Sequence, residues 1–159
     1  MVITEEKWKE IVKYFGGMKH TSMIGSVSNT GQPNVTPIGS LLLKENCTGY
    51  YFDLFTRELS ANLDQNSKVC VTFIQTSSLF WLKSLYANKG TKPAGIKLVG
   101  SAGARRKATA EEIELFRNMT KSIKMLKGYN TLFGNLSYVR DIEFTDYYAI
   151  NTGKMTFDL

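Results

Sequence analysis

The chain carries one histidine, His20, and two cysteines, Cys47 and Cys70, among 159 residues. A single histidine excludes a histidine-based triad or a multi-histidine metal site built from one chain. His20 falls at the start of a strand, with no catalytic role expected of it. Two cysteines so far apart give neither a metal-binding spacing nor a disulfide framework. Cys70 lies in an apolar run and reads as a small core residue, whereas Cys47 reads as part of a turn. No apolar run approaches the roughly 20 residues of a membrane span, and the first ten residues lack an apolar signal core. These absences predict a soluble, cytoplasmic protein with no membrane partner and no metal. The phosphate-binding loops G-x-x-x-x-G-K-[ST] and G-x-G-x-x-G are missing too, which excludes P-loop and Rossmann sites. With so few side chains suited to acid–base or nucleophilic work, any catalysis falls mainly to a cofactor.

What remains is the composition of a globular protein, 43% hydrophobic and 21% charged, predicting a single domain over residues 1–159. The net charge of +6 invites a nucleic-acid reading, but the lysines and arginines are spread along the chain. Their densest run is Arg105-Arg106-Lys107. A solvated basic rim, or a surface that attracts anionic small molecules, is the simpler account, and no nucleic-acid partner is expected.

Hydrophobic periodicity and turn chemistry predict the elements. Residues 4–15 read as a helix capped by Thr4, with Trp8, Ile11, Val12 and Phe15 on one face and Gly16-Gly17 at its end. Residues 20–29 and 33–44 read as a hairpin about Asn29-Thr30-Gly31-Gln32, and residues 49–55 as a third strand. A short helix follows over 57–65, then a β-branched strand over 68–75. Residues 77–93 read as a short helix or a lid. A fifth strand is expected over 95–107, with Gly100 and Gly103 each suggesting a bulge or close backbone approach. Thr109-x-x-Glu112 is a capping box opening a helix with a buried stripe of Ile113, Phe116, Thr120, Ile123 and Leu126, stopped by Gly128. The last strand spans about 138–150. Hairpin-connected strands without βαβ repeats predict a mainly β (α+β) fold, an antiparallel barrel with flanking helices.

Two interrupted strands offer a site. At Asn34-Val35-Thr36-Pro37-Ile38-Gly39-Ser40, Pro37 cannot donate to a ladder, which marks an edge or a break and frees backbone near Ile38. Gly39 lets a flat ring approach the chain, though a simple kinked edge strand explains the same residues. At Phe55-Thr56-Arg57 an aromatic strand gives way to a helix whose N-terminal N–H groups suit a phosphate. Thr56, Arg57, Ser60 and Asn62 add donors there. The competing reading is an ordinary turn capped by Thr56, with Arg57 and Ser60 merely solvated.

In order and content, Ile24 through Gly39, Phe55-Thr56-Arg57-Glu58-Leu59-Ser60-Ala61-Asn62-Leu63, the run from Asp64 to Phe73, and Ile96 to Ala102 resemble the pyridoxamine-phosphate-oxidase-like, FMN-binding split-barrel superfamily. The resemblance implies a six-stranded Greek-key split β-barrel and a homodimer with FMN in a groove at the subunit interface. It implies that Thr36, Pro37, Ile38, Gly39 and Ser40 line the flavin ring. Phe55, Thr56, Arg57, Ser60, Asn62 and Leu63 would then serve the ribityl phosphate end. Trp81, Lys83 and Lys92 are candidates for substrate recognition. The activity implied is an oxidoreductase passing electrons from a reduced donor such as NAD(P)H through FMN to a small-molecule acceptor. The alternative is a non-catalytic flavin or deazaflavin carrier.

Overall fold

A computed structural model describes residues 1–17, 20–90 and 92–157. Its elements in chain order are α1 (Glu5–Phe15), β1 (Thr21–Val27), β2 (Pro33–Ile38), β3 (Leu42–Leu43), β4 (Thr48–Phe52), α2 (Arg57–Gln65), β5 (Lys68–Ile74), α3 (Ser78–Ala87), β6 (Gly95–Ala102), β7 (Arg106–Lys107), α4 (Ala110–Met119), α5 (Tyr129–Phe133) and β8 (Tyr138–Ala149). All pairings are antiparallel, in the order β2-β1-β5-β6-β8-β4-β3, and β7 adds to β8. The sheet curls into a half-barrel with the helices against it, the mainly β architecture expected from the sequence. Among the described residues no helix is long and apolar enough to cross a membrane.

Among the described residues the strand count is eight rather than six. The expected strand over 33–44 is broken at residues 39–41, and that over 95–107 at residues 103–105, so each yields an additional strand of two residues. Gly100 meets the expectation of close approach: the β6–β8 register shifts between Val99 and Gly100. A Cβ on Gly100 would stand 1.9 Å from the Glu143 carbonyl oxygen.

Alternation along the strands sorts two apolar layers. Inside the curl, Ile24, Tyr51, Val71, Ile96, Leu98 and Ile142 pack with Trp8, Ile11 and Phe15 of α1. Trp8 also ties α1 to the chain beyond β3, its Nε1 donating to the Lys44 carbonyl at 2.8 Å. Tyr50 and Phe52 point to the opposite face, where Phe116, Leu136 and Val139 join them under α4. Cys70 is only half-buried, because Val69 and Val71 take the inward positions on β5.

α4 forms as its capping box requires. Thr109 accepts from the Glu112 N–H, and Glu112 accepts from the Thr109 N–H. The expected stripe, however, stops early. The Thr120 hydroxyl donates to the Phe116 carbonyl at 2.8 Å, the helix ends at Met119, and the chain tightens into a 3₁₀ turn at Lys121–Ile123. Ile123 and Leu126 are therefore exposed, and Gly128 precedes α5 rather than ending α4.

Glu112 also pins α4 to the sheet. Its Oε1 accepts from Arg106 at 2.7 Å and from Lys44 at 3.2 Å. The Arg106 guanidinium holds the Glu112 carboxyl down at about 2 against the pull of burial. A depressed carboxylate stabilises the fold above its unfolded pKa and loses that contribution as pH falls through the folded value. We expect stability to hold down to about pH 4.5 and then to drop towards pH 2 as Glu112 protonates. Glu112→Gln is expected to cost about 2 kcal/mol at neutral pH and to flatten this acid limb. Urea denaturation across pH checks it; an unchanged acid limb in the variant would place the titration elsewhere.

Candidate functional site

β2 is an edge strand, paired only with β1, as Pro37 requires. Asn34, Thr36 and Ile38 face inward, while Val35 and Pro37 face outward. Thr36 donates to Asn34 Oδ1 at 2.9 Å, and Asn34 donates to Glu58 Oε2 at 2.8 Å. The edge strand is thereby tied to the first turn of α2. Ser40 is buried beyond the break, and its hydroxyl bonds both the N–H and the carbonyl of Phe52 at 3.2 Å. This staples the 39–41 bend to the end of β4. Gly39 stands between the two attachments with open space where a Cβ would project.

The result is a cleft of about 410 Å³ lined by residues 36–40, Phe52, Leu54, Phe55, Thr56, Leu132 and Phe133. Two segments that the sequence singled out separately thus meet at one place. Phe55 stands at its rim in the left-handed region, φ 57°, and is 79% exposed. An aromatic residue in that conformation costs about 1 kcal/mol or more. With so little of its side chain buried, Phe55 gains little packing in return.

The head of α2 is built around Asp53. The Thr56 hydroxyl donates to Asp53 Oδ1, and the Ser60 hydroxyl donates to Oδ2 at 2.9 Å. Arg140 Nε lies 3.4 Å and Arg105 Nε 3.2 Å from the same Oδ2. Arg140 is 1% exposed and also donates to Ser60 Oγ at 2.9 Å, to Asp64 Oδ1 at 2.6 Å and to the Gly103 carbonyl at 3.2 Å. Burial disfavours the Arg140 charge, but the Asp64 hydrogen bond and the nearby acids outweigh it, so its pKa lies above the ordinary value. Tyr51, opposite Arg140 in the ladder, has a buried hydroxyl without a partner, and burial followed by the Asp53 charge pushes its pKa up.

Each hydroxyl has one proton to give, and Thr56 and Ser60 give theirs to Asp53. Neither Asp53 nor Arg140 was singled out from the sequence. The one signal for Asp53 is a charge between apolar neighbours, Phe52 and Leu54, at the end of a strand; Arg140, followed by Asp141, carries no such signal. The donors left open at this helix end are different ones. Arg57 is exposed and makes no ion pair among the described residues. The N–H groups of Arg57, Glu58 and Leu59 meet no acceptor among the described residues, since α2 has no side-chain cap.

Other expected site residues lie elsewhere. Asn62 donates to Ser26 Oγ at 3.1 Å, joining α2 to β1, and Leu63 is buried in the core. Trp81 Nε1 donates to the Gln75 carbonyl at 3.1 Å, and its ring packs edge-on against Phe80. Lys83 and Lys92 line a separate cleft with Gln75, Ser77, Leu79 and Phe80. Within one chain these three residues do not reach the cleft beside Gly39.

The sequence profile described as pyridoxamine 5'-phosphate oxidase matches residues 4–148. No curated protein matches the sequence. Among solved structures, HupZ of Group A Streptococcus is 19% identical, with a TM-score of 0.58, over 98% of this chain and 99% of that one. An FMN-binding protein from Syntrophomonas wolfei is 15% identical, with a TM-score of 0.60, over 92% and 86% of the two chains. An F420 reductase is 9% identical, with a TM-score of 0.59, over 86% and 94%. At these identities the likeness is one of fold.

Proposed function

The chain belongs to the pyridoxamine 5'-phosphate oxidase family, and on that premise we propose that it binds a flavin, FMN in particular, in the cleft beside Gly39. The observation that carries this reading is the meeting of residues 36–40 with Phe55 and Thr56 around one open, apolar-walled space. The FMN-binding protein of Syntrophomonas wolfei shares the fold and supports the choice of flavin.

The residues present fit such a group. Gly39 leaves the backbone bare towards the cleft, so a flat ring can lie against it. Phe52, Leu54 and Phe133 supply apolar walls. For the phosphate, Arg57 and the open N–H groups of Arg57 and Glu58 stand at the positive end of α2. The Thr56 and Ser60 hydroxyls act one step behind, by fixing Asp53. Charge-assisted hydrogen bonds contribute about 1.5–3 kcal/mol each, so loss of two weakens binding about a hundredfold or more.

When bound, a flavin supplies the hydride and electron transfer that this chain's side chains do not. The chain's own part is to anchor the ring, shield one face from water and fix the phosphate. No ionisable side chain lines the cleft among the described residues, so no residue there moves a proton. An oxidoreductase using NAD(P)H and a small-molecule acceptor is the reading we favour. The same lack of ionisable groups favours, as the second reading, a flavin or deazaflavin carrier.

Val35, Phe55 and Leu132, all largely exposed around this region, support a homodimer in which a second copy covers the cleft. In that arrangement α3, with Trp81 and Lys83, is available to the partner's cleft. Reconstitution with FMN followed by NADH or NADPH without oxygen tests the function. Loss of the flavin absorbance near roughly 450 nm is expected. FMN that is retained but never bleached makes the chain a carrier, and failure to take up either FMN or a deazaflavin removes both readings.

A further inference from the structure

Two neighbouring arginines are used in opposite ways. Arg106 commits its whole guanidinium, donating to Asp141 and Glu112 at 2.5–2.9 Å. Arg105, at the turn into β7, is 46% exposed and has only its Nε engaged, 3.2 Å from Asp53 Oδ2. Its guanidinium carbon lies 3.9 Å from the centre of the Tyr138 ring. The Asp53 contact fixes one edge of the group, and the stacking on Tyr138 fixes its plane. Asp53 is itself held by Arg140, Thr56 and Ser60, so the anchor is rigid. Among the described residues no acceptor meets either terminal nitrogen of Arg105.

Arg105 lines a second cleft of about 370 Å³ with Asn130, Thr131, Asn135, Ser137 and Tyr138. Asp53 is the one acid lining it among the described residues, and its charge is shared between Arg105 and Arg140, the latter also paired with Asp64 at 2.6 Å. The Ser137 hydroxyl donates to Asn135 Oδ1, which leaves the Asn135 amide N–H groups as donors. A fixed guanidinium with its two-nitrogen edge open matches the two oxygens of a carboxylate or phosphate. The neutral amides and hydroxyls beside it suit a polar body rather than a second anion.

We propose that this cleft binds a small molecule carrying a carboxylate or phosphate group, gripped by the terminal nitrogens of Arg105. The cleft shares Leu54, Phe55 and Leu132 with the one beside Gly39, so its ligand stands next to the flavin and is the substrate or electron donor. That role rests on the flavin reading. The oxyanion site itself does not.

The test is a titration of ¹⁵N-labelled protein with inorganic phosphate and with succinate at low ionic strength, with chloride as control. The arginine Nε–H and asparagine side-chain signals are followed. Saturable shifts are expected at Arg105 and at Asn130 or Asn135, and the tighter of the two anions identifies the natural group. Arg105→Gln and Arg105→Lys should each weaken binding about tenfold or more, the lysine because it keeps the charge but loses the fork. Arg57→Gln should leave this affinity unchanged. Shifts at Arg105 that are absent, that do not saturate, that chloride reproduces or that survive Arg105→Gln would overturn the proposal; shifts at Arg57 report the separate phosphate position at the head of α2. A parallel flavin titration separates the two ideas. Anion binding at Arg105 without any flavin binding leaves the oxyanion site standing and removes the flavin function. Flavin binding with neither anion bound does the reverse.

Discussion

Arg140→Ala is expected to destabilise the protein by about 3–5 kcal/mol, the range found when one partner of a buried ion pair is removed. Arg140 is 1% exposed and reaches Asp53, Ser60, Asp64 and the Gly103 carbonyl from near the start of β8. Without it, the nearly buried Asp53 carboxylate keeps only Arg105 as a cationic partner, itself half in solvent. The hydroxyls of Thr56 and Ser60 stabilise that charge but do not balance it. A loss of this size is a large share of a typical folding free energy of about 5–15 kcal/mol. Urea denaturation measures it directly. The double variant Asp53→Asn with Arg140→Met should lose less than Arg140→Ala alone, because it removes both charges together. A cost under about 1 kcal/mol for Arg140→Ala would mean that water reaches the network and that Asp53 is not buried as described.

Gly39→Leu should separate binding from folding. The Gly39 side of the bend is open, with nothing within 4 Å of an added Cβ, and its backbone lies outside the left-handed region. A leucine there is expected to change stability by less than about 1 kcal/mol. Its side chain projects into the space assigned to the flavin ring and blocks it. We expect FMN affinity to fall about a hundredfold or more, a loss of roughly 3 kcal/mol. Fluorescence titration of FMN against wild type and variant reads the effect, and a urea melt of both confirms equal folding. Unchanged affinity in a folded Gly39→Leu protein would move the ring away from this cleft.

Local signals were legible in the sequence, and long-range ones were not. The helices at Glu5–Phe15 and Arg57–Gln65, and the start of Ala110–Met119, follow from Thr4, the Thr56 junction and the Thr109–Glu112 box, all within a few residues. The two-residue strands β3 and β7 exist only because β4 and β8 pair with them, which no local pattern announces. The α4 stripe was overextended because periodicity alone does not reveal that the Thr120 hydroxyl turns back to Phe116. At the site, Gly39 and Pro37 marked a break, and the break is there. The assignment of Thr56 and Ser60 to a phosphate treated Asp53 as the tail of an aromatic strand. Asp53 instead meets Arg140, 87 residues away, and that partner redirects both hydroxyls.

The most direct test of the central claim is a titration of the flavin-free protein with FMN, followed by the change in flavin absorbance and fluorescence. The account predicts a saturable shift with one FMN per chain, lost in Gly39→Leu and weakened in Arg57→Ala. A free-flavin spectrum that stays unchanged as protein is raised into large excess would contradict it.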